Sequence, residues 1–140
     1  MDEEKKRIIL LDDDSRLLKA ISDELRFEIL QLGYRFDIAQ DLNKLNDLLK
    51  KPGEILIGVV DLWITDTQTN IQDEEGGQKA LASIREAWPD SYIFVLSSHL
   101  DSDALESLHD VERIAIIKKP VPTRVLIDLI REKMDEVTQR

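Results

Sequence analysis

Cysteine is absent from this chain of 140 residues, which excludes disulfides, zinc–thiolate sites and cysteine nucleophiles. Aromatic residues make up only 5% of the sequence, and no apolar run is long enough for a signal peptide or a membrane span. The first residues, up to Arg7, are mostly charged and lead directly into a short apolar run. We therefore expect a cytoplasmic protein that makes no membrane contact.

Positive charge is also in short supply, because 29 acidic residues outnumber 19 lysines and arginines and give a net charge of −10. That charge repels nucleic-acid phosphates, and no basic stripe or aromatic ladder offsets it, so direct nucleic-acid binding is not expected. Most of the acidic residues are expected on a solvated surface. The length and the 42% hydrophobic content predict a single domain, residues 1–140, whose core needs no metal to hold it together.

Five short aliphatic runs alternate with segments of helical period. Buried parallel strands read as continuous apolar runs, and parallel neighbours must be joined by crossovers, which are usually helices. The alternation therefore predicts an α/β fold with a doubly wound, five-stranded parallel sheet. The predicted strands lie at residues 8–11, about 34–39, 55–60, 92–96 and 113–117.

The segments between these runs carry apolar residues at helical spacing, and we expect those residues in the core. The first helix is predicted to end at Gly33, the second before Pro52 and the third at Pro89. A short fourth helix is predicted to begin near Asp101 or Ser102. The expected core positions of the first and last helices are Leu17, Leu18, Ile21, Leu25, Ile29, Leu32, Val125, Leu126, Leu129, Ile130, Met134 and Val137.

Polar side chains follow four of the predicted strands at the point where each strand ends. The carboxyl ends of parallel strands meet at one edge of a sheet, where ligands bind in open α/β folds. Carboxylates, a hydroxyl and an ammonium are therefore expected to converge there. The groups are Asp12-Asp13-Asp14 after the first strand, Asp61 after the third, Ser97-Ser98 after the fourth and Lys118-Lys119-Pro120 after the fifth.

The carboxylates of Asp12, Asp13 and Asp61 would repel one another unless a cation neutralises them or protons are taken up. A hard ion such as Mg²⁺, which prefers oxygen ligands, fits such a cluster. Taken singly, Asp12 is also explained as a helix cap, and Asp61 is better explained as an acceptor for loop amides. The coincidence of the two favours metal binding by Asp12 over capping. Asp14, directly before Ser15 and a helix, is expected to be a cap.

Asp61 suits a covalent role if it accepts a phosphoryl group as an acyl phosphate. The charge of the incoming group must then be offset by Mg²⁺ and an ammonium, and a hydroxyl must donate to a phosphoryl oxygen. Ser97 and Lys119 supply the hydroxyl and the ammonium from two further strand ends. The combination is more informative than any member alone.

In this order on five strands, the residues resemble the receiver domain of two-component response regulators over essentially the whole chain. The resemblance implies a flavodoxin-like (βα)5 fold with strand order 2-1-3-4-5 and an Mg²⁺ cofactor. It also implies a sensor histidine kinase or a histidine phosphotransfer protein as the phosphoryl donor, and a downstream protein partner or output domain as the receiver of the signal. Phosphorylation would shift the surface that carries the fourth helix, fifth strand and fifth helix.

The resemblance also assigns roles to individual residues. Asp61 would be the phosphoacceptor, Ser97 the switch hydroxyl and Lys119 the ammonium that contacts the phosphoryl group, next to a cis Lys119–Pro120 bond. Mg²⁺ would be held by Asp13, Asp61 and the backbone carbonyl of Trp63, with Asp12 assisting through water.

Three features depart from the family pattern. Thr65 stands where a proline is usual, and Gly76-Gly77 arrive late, after an apparent insertion at residues 63–75 that is predicted as a long loop. Trp63 and His99 occupy positions that tune the access of water to the phosphoryl group, although His99 is equally explained as a surface histidine. Ile116 replaces a switch aromatic.

Two other functions compete with the phosphoacceptor. Asp12-Asp13-Asp14 has the aspartate-x-aspartate spacing of haloacid-dehalogenase-type phosphatases, in which Asp12 would be the nucleophile. Arg16 stands where those enzymes need a threonine, and the late acidic motif is absent. A degenerate receiver that only binds partners is the other alternative, and the complete polar set argues against it. We thus expect a signalling domain that catalyses only its own phosphorylation and dephosphorylation.

Overall fold

The computed structural model describes residues 5–61, 64–66, 71–97 and 111–138. Its strands are β1 (Arg7–Leu11), β2 (Arg35–Ala39), β3 (Ile55–Asp61), β4 (Ile64–Asp66), β5 (Ile71–Asp73), β6 (Tyr92–Ser97) and β7 (Ile114–Lys118). Its helices are α1 (Ser15–Gln31), α2 (Leu42–Leu49), α3 (Glu74–Ala87) and α4 (Thr123–Thr138).

Five of the strands form one parallel sheet in the order β2-β1-β3-β6-β7. These are the five predicted aliphatic runs, each with bounds within one residue of the prediction. The predicted fold class and strand order are therefore confirmed. Since the strands are parallel, the carboxyl ends of β1, β3, β6 and β7 lie along the same edge.

The sheet is covered on both faces, which is why its central strands β1, β3 and β6 are mostly apolar. Successive side chains point to opposite sides, so Ile9 and Leu11 pack with α2 and α3, whereas Ile8 and Leu10 pack with α1 and α4. In β1 all five residues are buried. The central strands are thus fixed between two hydrophobic layers, and the loops at their ends are held in place.

The ends of α1 follow from local chemistry. Asp14 accepts hydrogen bonds from the backbone N–H groups of Arg16 and Leu17, so it is the helix cap that the sequence predicts. Gly33 has φ +81° just beyond the helix, a conformation that glycine adopts without strain. Two expected core residues are exposed instead: Leu32 lies past the last turn of α1, and Val125 faces outward from α4.

The segment predicted as a long loop contains a hairpin. Strands β4 and β5 pair in antiparallel fashion, with Ile64 opposite Asp73 and Asp66 opposite Ile71, and α3 begins directly afterwards at Glu74. The loop prediction was wrong for these residues because it relied on low apolar content. β-branched residues such as Thr65 favour extended backbone, and the ladder itself satisfies the polar groups of the chain.

A buried arginine lies at the amino end of the sheet. The side chain of Arg7 is fully buried and donates to the carbonyl oxygens of Leu48 and Gly53 at 2.5 and 2.9 Å, with Asp37 at 3.8 Å. Gly53 has φ +111°, and a Cβ there would lie 2.2 Å from the carbonyl oxygen of Lys5. The turn before β3 is therefore clamped against β1.

The fourth predicted helix, near Asp101, lies outside the described residues. Within the part of the chain that is described, no helix is long and apolar enough to cross a membrane.

Candidate functional site

The predicted site residues are brought to the carboxyl edge of the sheet by its register. The N–H of Asp12 donates to the carbonyl of Ala39 at 3.2 Å, which continues the β1–β2 pairing one residue past β1. Asp61 ends β3 and pairs with Leu96 of β6, which is the residue before Ser97. The N–H of Lys119 donates to the carbonyl of Ser97 at 2.7 Å.

Three carboxylates lie together at this edge. Asp12, Asp13 and Asp61 each offer an oxygen within 4.8 Å of the others. Asp12 is fully buried and Asp61 is 4% exposed, whereas Asp13 faces solvent. Burial of two carboxylates beside a third is unfavourable unless positive charge is brought close to them.

Lys119 supplies part of that charge. Its Nζ lies 3.2 Å from Oδ2 of Asp12 and 3.2 Å from Oδ2 of Asp61, and the side chain is 23% exposed. Burial works against the ammonium, but the carboxylates of Asp12 and Asp61 outweigh it and raise the pKa of Lys119 above its usual value. The lysine is therefore a fixed cation between two buried anions.

The two neighbouring aspartates differ in their surroundings. Oδ1 of Asp12 accepts the N–H of Asp14 at 2.9 Å, and its Oδ2 contacts Lys119, so both oxygens of Asp12 already have partners. Partial burial, and after it the charge of Asp12, raises the pKa of Asp13 above its usual value, although Lys119 acts in the other direction. The negative charge that Lys119 does not balance therefore acts on Asp13 and disfavours its ionised form.

The donor set fits a hard divalent cation. Three carboxylates against one ammonium leave an excess of two negative charges, and the closely spaced oxygens are ligands that Mg²⁺ accepts. One of the three carboxylates is open to solvent, which suits an ion that retains several waters.

Other predicted residues are placed as follows. Ser97 is fully buried at the end of β6, Lys118 is exposed, and the Lys119–Pro120 bond is cis as expected. Ile116 is half-buried in β7. The predicted backbone ligand Trp63, together with Ser98 and His99, lies outside the described residues.

A groove beside the acidic cluster has no counterpart in the sequence predictions. It lies between the first turn of α1 and the loop that joins β7 to α4, with Arg16, Lys119 and Thr123 among its polar walls. The sequence signal was weak, because an arginine in a first helical turn is usually a solvated surface residue. In the sequence, Arg16 is notable only as a mismatch to the phosphatase pattern.

Solved structures of receiver domains match nearly the whole chain. A CheY-like response regulator receiver domain protein from Methanospirillum hungatei JF-1 is 24% identical, covers 95% of this chain and 96% of its own, and has a TM-score of 0.69. A response regulator receiver protein from Sinorhizobium medicae WSM419 is 22% identical, with 94% and 96% covered and a TM-score of 0.66. An adenylate cyclase from Rhodopirellula baltica is 19% identical, with 96% and 93% covered and a TM-score of 0.68.

No family sequence model matches the chain, and no curated protein does so either. At these identities the structural likeness establishes the fold: the chain has the fold of response regulator receiver domains. One fold carries many functions, so the function must be argued from the site.

Proposed function

We propose that this chain is a phosphoacceptor receiver domain of a two-component or phosphorelay system. A sensor histidine kinase or a histidine phosphotransfer protein would donate its phosphoryl group to Asp61. The observation that carries the proposal is the contact of one ammonium, Lys119, with the carboxylates of both Asp12 and Asp61 inside a cluster of three aspartates. The likeness to solved receiver domains supports the same assignment.

The transfer is a displacement at phosphorus. An oxygen of Asp61 forms a bond to the phosphorus, the bond between phosphorus and the histidine nitrogen breaks, and its electron pair returns to the imidazole. The phosphoryl group brings further negative charge to a site that already holds an excess of it. Catalysis therefore consists mainly of positioning and charge compensation.

The chain supplies both from fixed positions. Lys119 is held next to Asp61 before any donor arrives, so its ammonium needs no rearrangement to meet the phosphoryl oxygens. Asp13 and Asp61, with Asp12 assisting, would hold Mg²⁺, and the carbonyl of Trp63 is proposed as a further ligand. When bound, Mg²⁺ supplies the positive charge that offsets these carboxylates and the phosphoryl oxygens.

Ser97 would convert phosphorylation into a change of surface. Its hydroxyl is proposed to donate to a phosphoryl oxygen, which would draw the end of β6 and the segment that follows it toward Asp61. A downstream partner or output domain must bind the two states with different affinity for this shift to carry a signal.

The phosphatase alternative makes Asp12 rather than Asp61 the nucleophile, and a donor would then have to reach Asp12 although its side chain is fully buried. One of its oxygens accepts a backbone N–H and the other contacts Lys119.

The proposal is tested by intact mass spectrometry after incubation with Mg²⁺ and acetyl phosphate. The wild-type protein should gain the mass of one phosphoryl group, and Asp61→Asn should gain none. The gain should also vanish when a chelator removes the metal. Wild-type protein that binds Mg²⁺ but stays unlabelled would contradict the proposal and favour a degenerate binding module.

Asp14→Asn is the matched control. Asparagine caps helices as well as aspartate does, so the variant should fold normally. Asp14 lies on the same loop as the cluster, yet its side chain caps α1. A gain of one phosphoryl group by Asp14→Asn, whatever its rate, would show that the loss in Asp61→Asn is specific to the acceptor.

A further inference from the structure

A groove of about 480 Å³ opens beside the acidic cluster. Its apolar lining comes from Leu17, Pro120 and Val121, and its polar lining includes Arg16 and Thr123. The groove is therefore amphipathic, and two cations in its lining, Arg16 and Lys119, outnumber the one carboxylate, that of Asp14. Its size suits a small organic group.

The groove is connected to the acceptor site through Lys119, which lines the groove and also contacts Asp61. Its opposite wall begins with Asp14, two residues after Asp12 in the same loop. The groove and the acceptor site are therefore neighbours that share the Lys119 side chain. Arg16 is exposed there and forms no ion pair with any of the described residues.

We infer that Arg16 is a specificity-determining residue that makes this groove favour acyl phosphates as small-molecule phosphoryl donors. The inference rests on the proposed function, since it concerns the choice of donor at the same site. Its physical basis is the charge that the leaving group carries as it separates.

The two simplest donor classes differ in that charge. With acetyl phosphate, an oxygen of Asp61 bonds to phosphorus, the bond from phosphorus to the acyl oxygen breaks, and acetate leaves with the electron pair as an anion. With phosphoramidate, the bond from phosphorus to nitrogen breaks, and nitrogen leaves as ammonia with the protons it already held. Arg16 attracts the departing carboxylate, whereas it repels the protonated nitrogen of intact phosphoramidate and has no charge to attract in the ammonia that leaves.

The test compares initial labelling rates with the two donors for wild-type protein, Arg16→Gln, Arg16→Glu and Arg16→Lys. In Arg16→Gln the rate with acetyl phosphate should fall on the order of threefold, as expected for one partly exposed ion pair, while the rate with phosphoramidate should not fall. In Arg16→Glu the ratio of the two rates should fall about tenfold, because repulsion replaces attraction. Arg16→Lys keeps the charge and should restore most of the preference.

Arg26→Gln is the matched control, because it removes the same charge from another exposed position of α1, about 15 Å farther along the helix. It should leave the ratio of rates unchanged. Salt at high concentration should reduce the difference between wild-type protein and Arg16→Gln, since the contact is exposed to solvent.

The outcomes separate the two proposals. If neither donor labels the wild-type protein, the receiver function fails and the inference falls with it. If both donors label it and Arg16→Gln changes both rates equally or leaves both unchanged, the inference on Arg16 is overturned while the receiver function stands.

Discussion

Buried charge occurs at both ends of the central sheet, and the two ends use it differently. At the amino end, Arg7 is fully buried, but its Nε and Nη1 donate to two carbonyl oxygens and the carboxylate of Asp37 lies 3.8 Å from Nη1, so one negative charge faces its one positive charge. At the carboxyl end, Asp12, Asp13 and Asp61 share the ammonium of Lys119, so negative charge remains in excess. A compensated buried charge holds the fold together, whereas an uncompensated one marks a place where something must bind.

The largest expected effect is on stability at the amino end. Arg7→Met would remove the side-chain donor from the carbonyls of Leu48 and Gly53, and we expect it to lower the free energy of unfolding by about 3 kcal/mol. The phosphorylation rate per folded molecule should not change. Urea unfolding and labelling rates measure the two quantities, with Lys6→Met as an exposed control. A variant that stayed folded but lost labelling would break the comparison.

The next effect is on function at the carboxyl end. Lys119→Met removes the ammonium that contacts Asp12 and Asp61, and we expect labelling to slow by about 10²-fold, as for the loss of one preorganised electrostatic contact. Rates of mass gain with acetyl phosphate measure it. Lys118→Met, at the exposed neighbouring position, should label normally. Equal rates in the two variants would show that Lys119 has no special role.

A smaller and opposite effect is expected from Asp13→Asn. Because the pKa of Asp13 is raised in the folded protein, its charge opposes folding at neutral pH, and that cost disappears as the pH falls through the raised pKa. The variant should therefore be more stable than metal-free wild-type protein at neutral pH, by less than about 1 kcal/mol after solvent screening, and equally stable in acid. Thermal melts at both pH values test the sign. It should also bind Mg²⁺ more weakly in calorimetric titration.

The smallest effect is expected away from both ends, where α1 and α4 are joined on the surface. Arg131 hydrogen-bonds Glu28 and lowers the pKa of that carboxyl, so the contribution to stability is present above the usual pKa and lost as the pH falls through the lowered one. Both side chains are about one-third exposed or more, so Glu28→Gln should cost less than about 0.5 kcal/mol at neutral pH. Glu132→Gln is the exposed control. A larger loss of unfolding free energy in Glu28→Gln, calculated from the unfolding midpoints, would contradict the small contribution that we expect from this surface pair.

The two ends also differ in how far the sequence predicts them. At the carboxyl end, each polar group directly follows an apolar run, and parallel pairing brings such groups together. The clustering of Asp12, Asp61 and Lys119 was therefore predictable from strand order alone. At the amino end, Arg7 belongs by sequence to a charged leader, and its burial depends on carbonyls that lie 41 and 46 residues away along the chain.

Other misses have a similar origin in contacts that a linear pattern does not contain. Helical spacing predicted that Leu32 and Val125 lie in the core, yet both are exposed. The spacing places a residue on one face of a helix, but it does not determine which other element packs against that face. The hairpin of β4 and β5 is held by backbone pairing, which apolar content does not report. Arg16 and Lys119 are far apart in the sequence, and only the fold places them in one groove.

Locating the phosphoryl group by chemical trapping tests the central claim most directly. Borohydride reduces an acyl phosphate of aspartate to homoserine, and fragmentation of the resulting peptide identifies the residue. After labelling with acetyl phosphate and Mg²⁺, the account predicts homoserine at position 61 and aspartate at positions 12 and 13. Homoserine at position 12 would contradict it and make Asp12 the nucleophile, as a phosphatase requires.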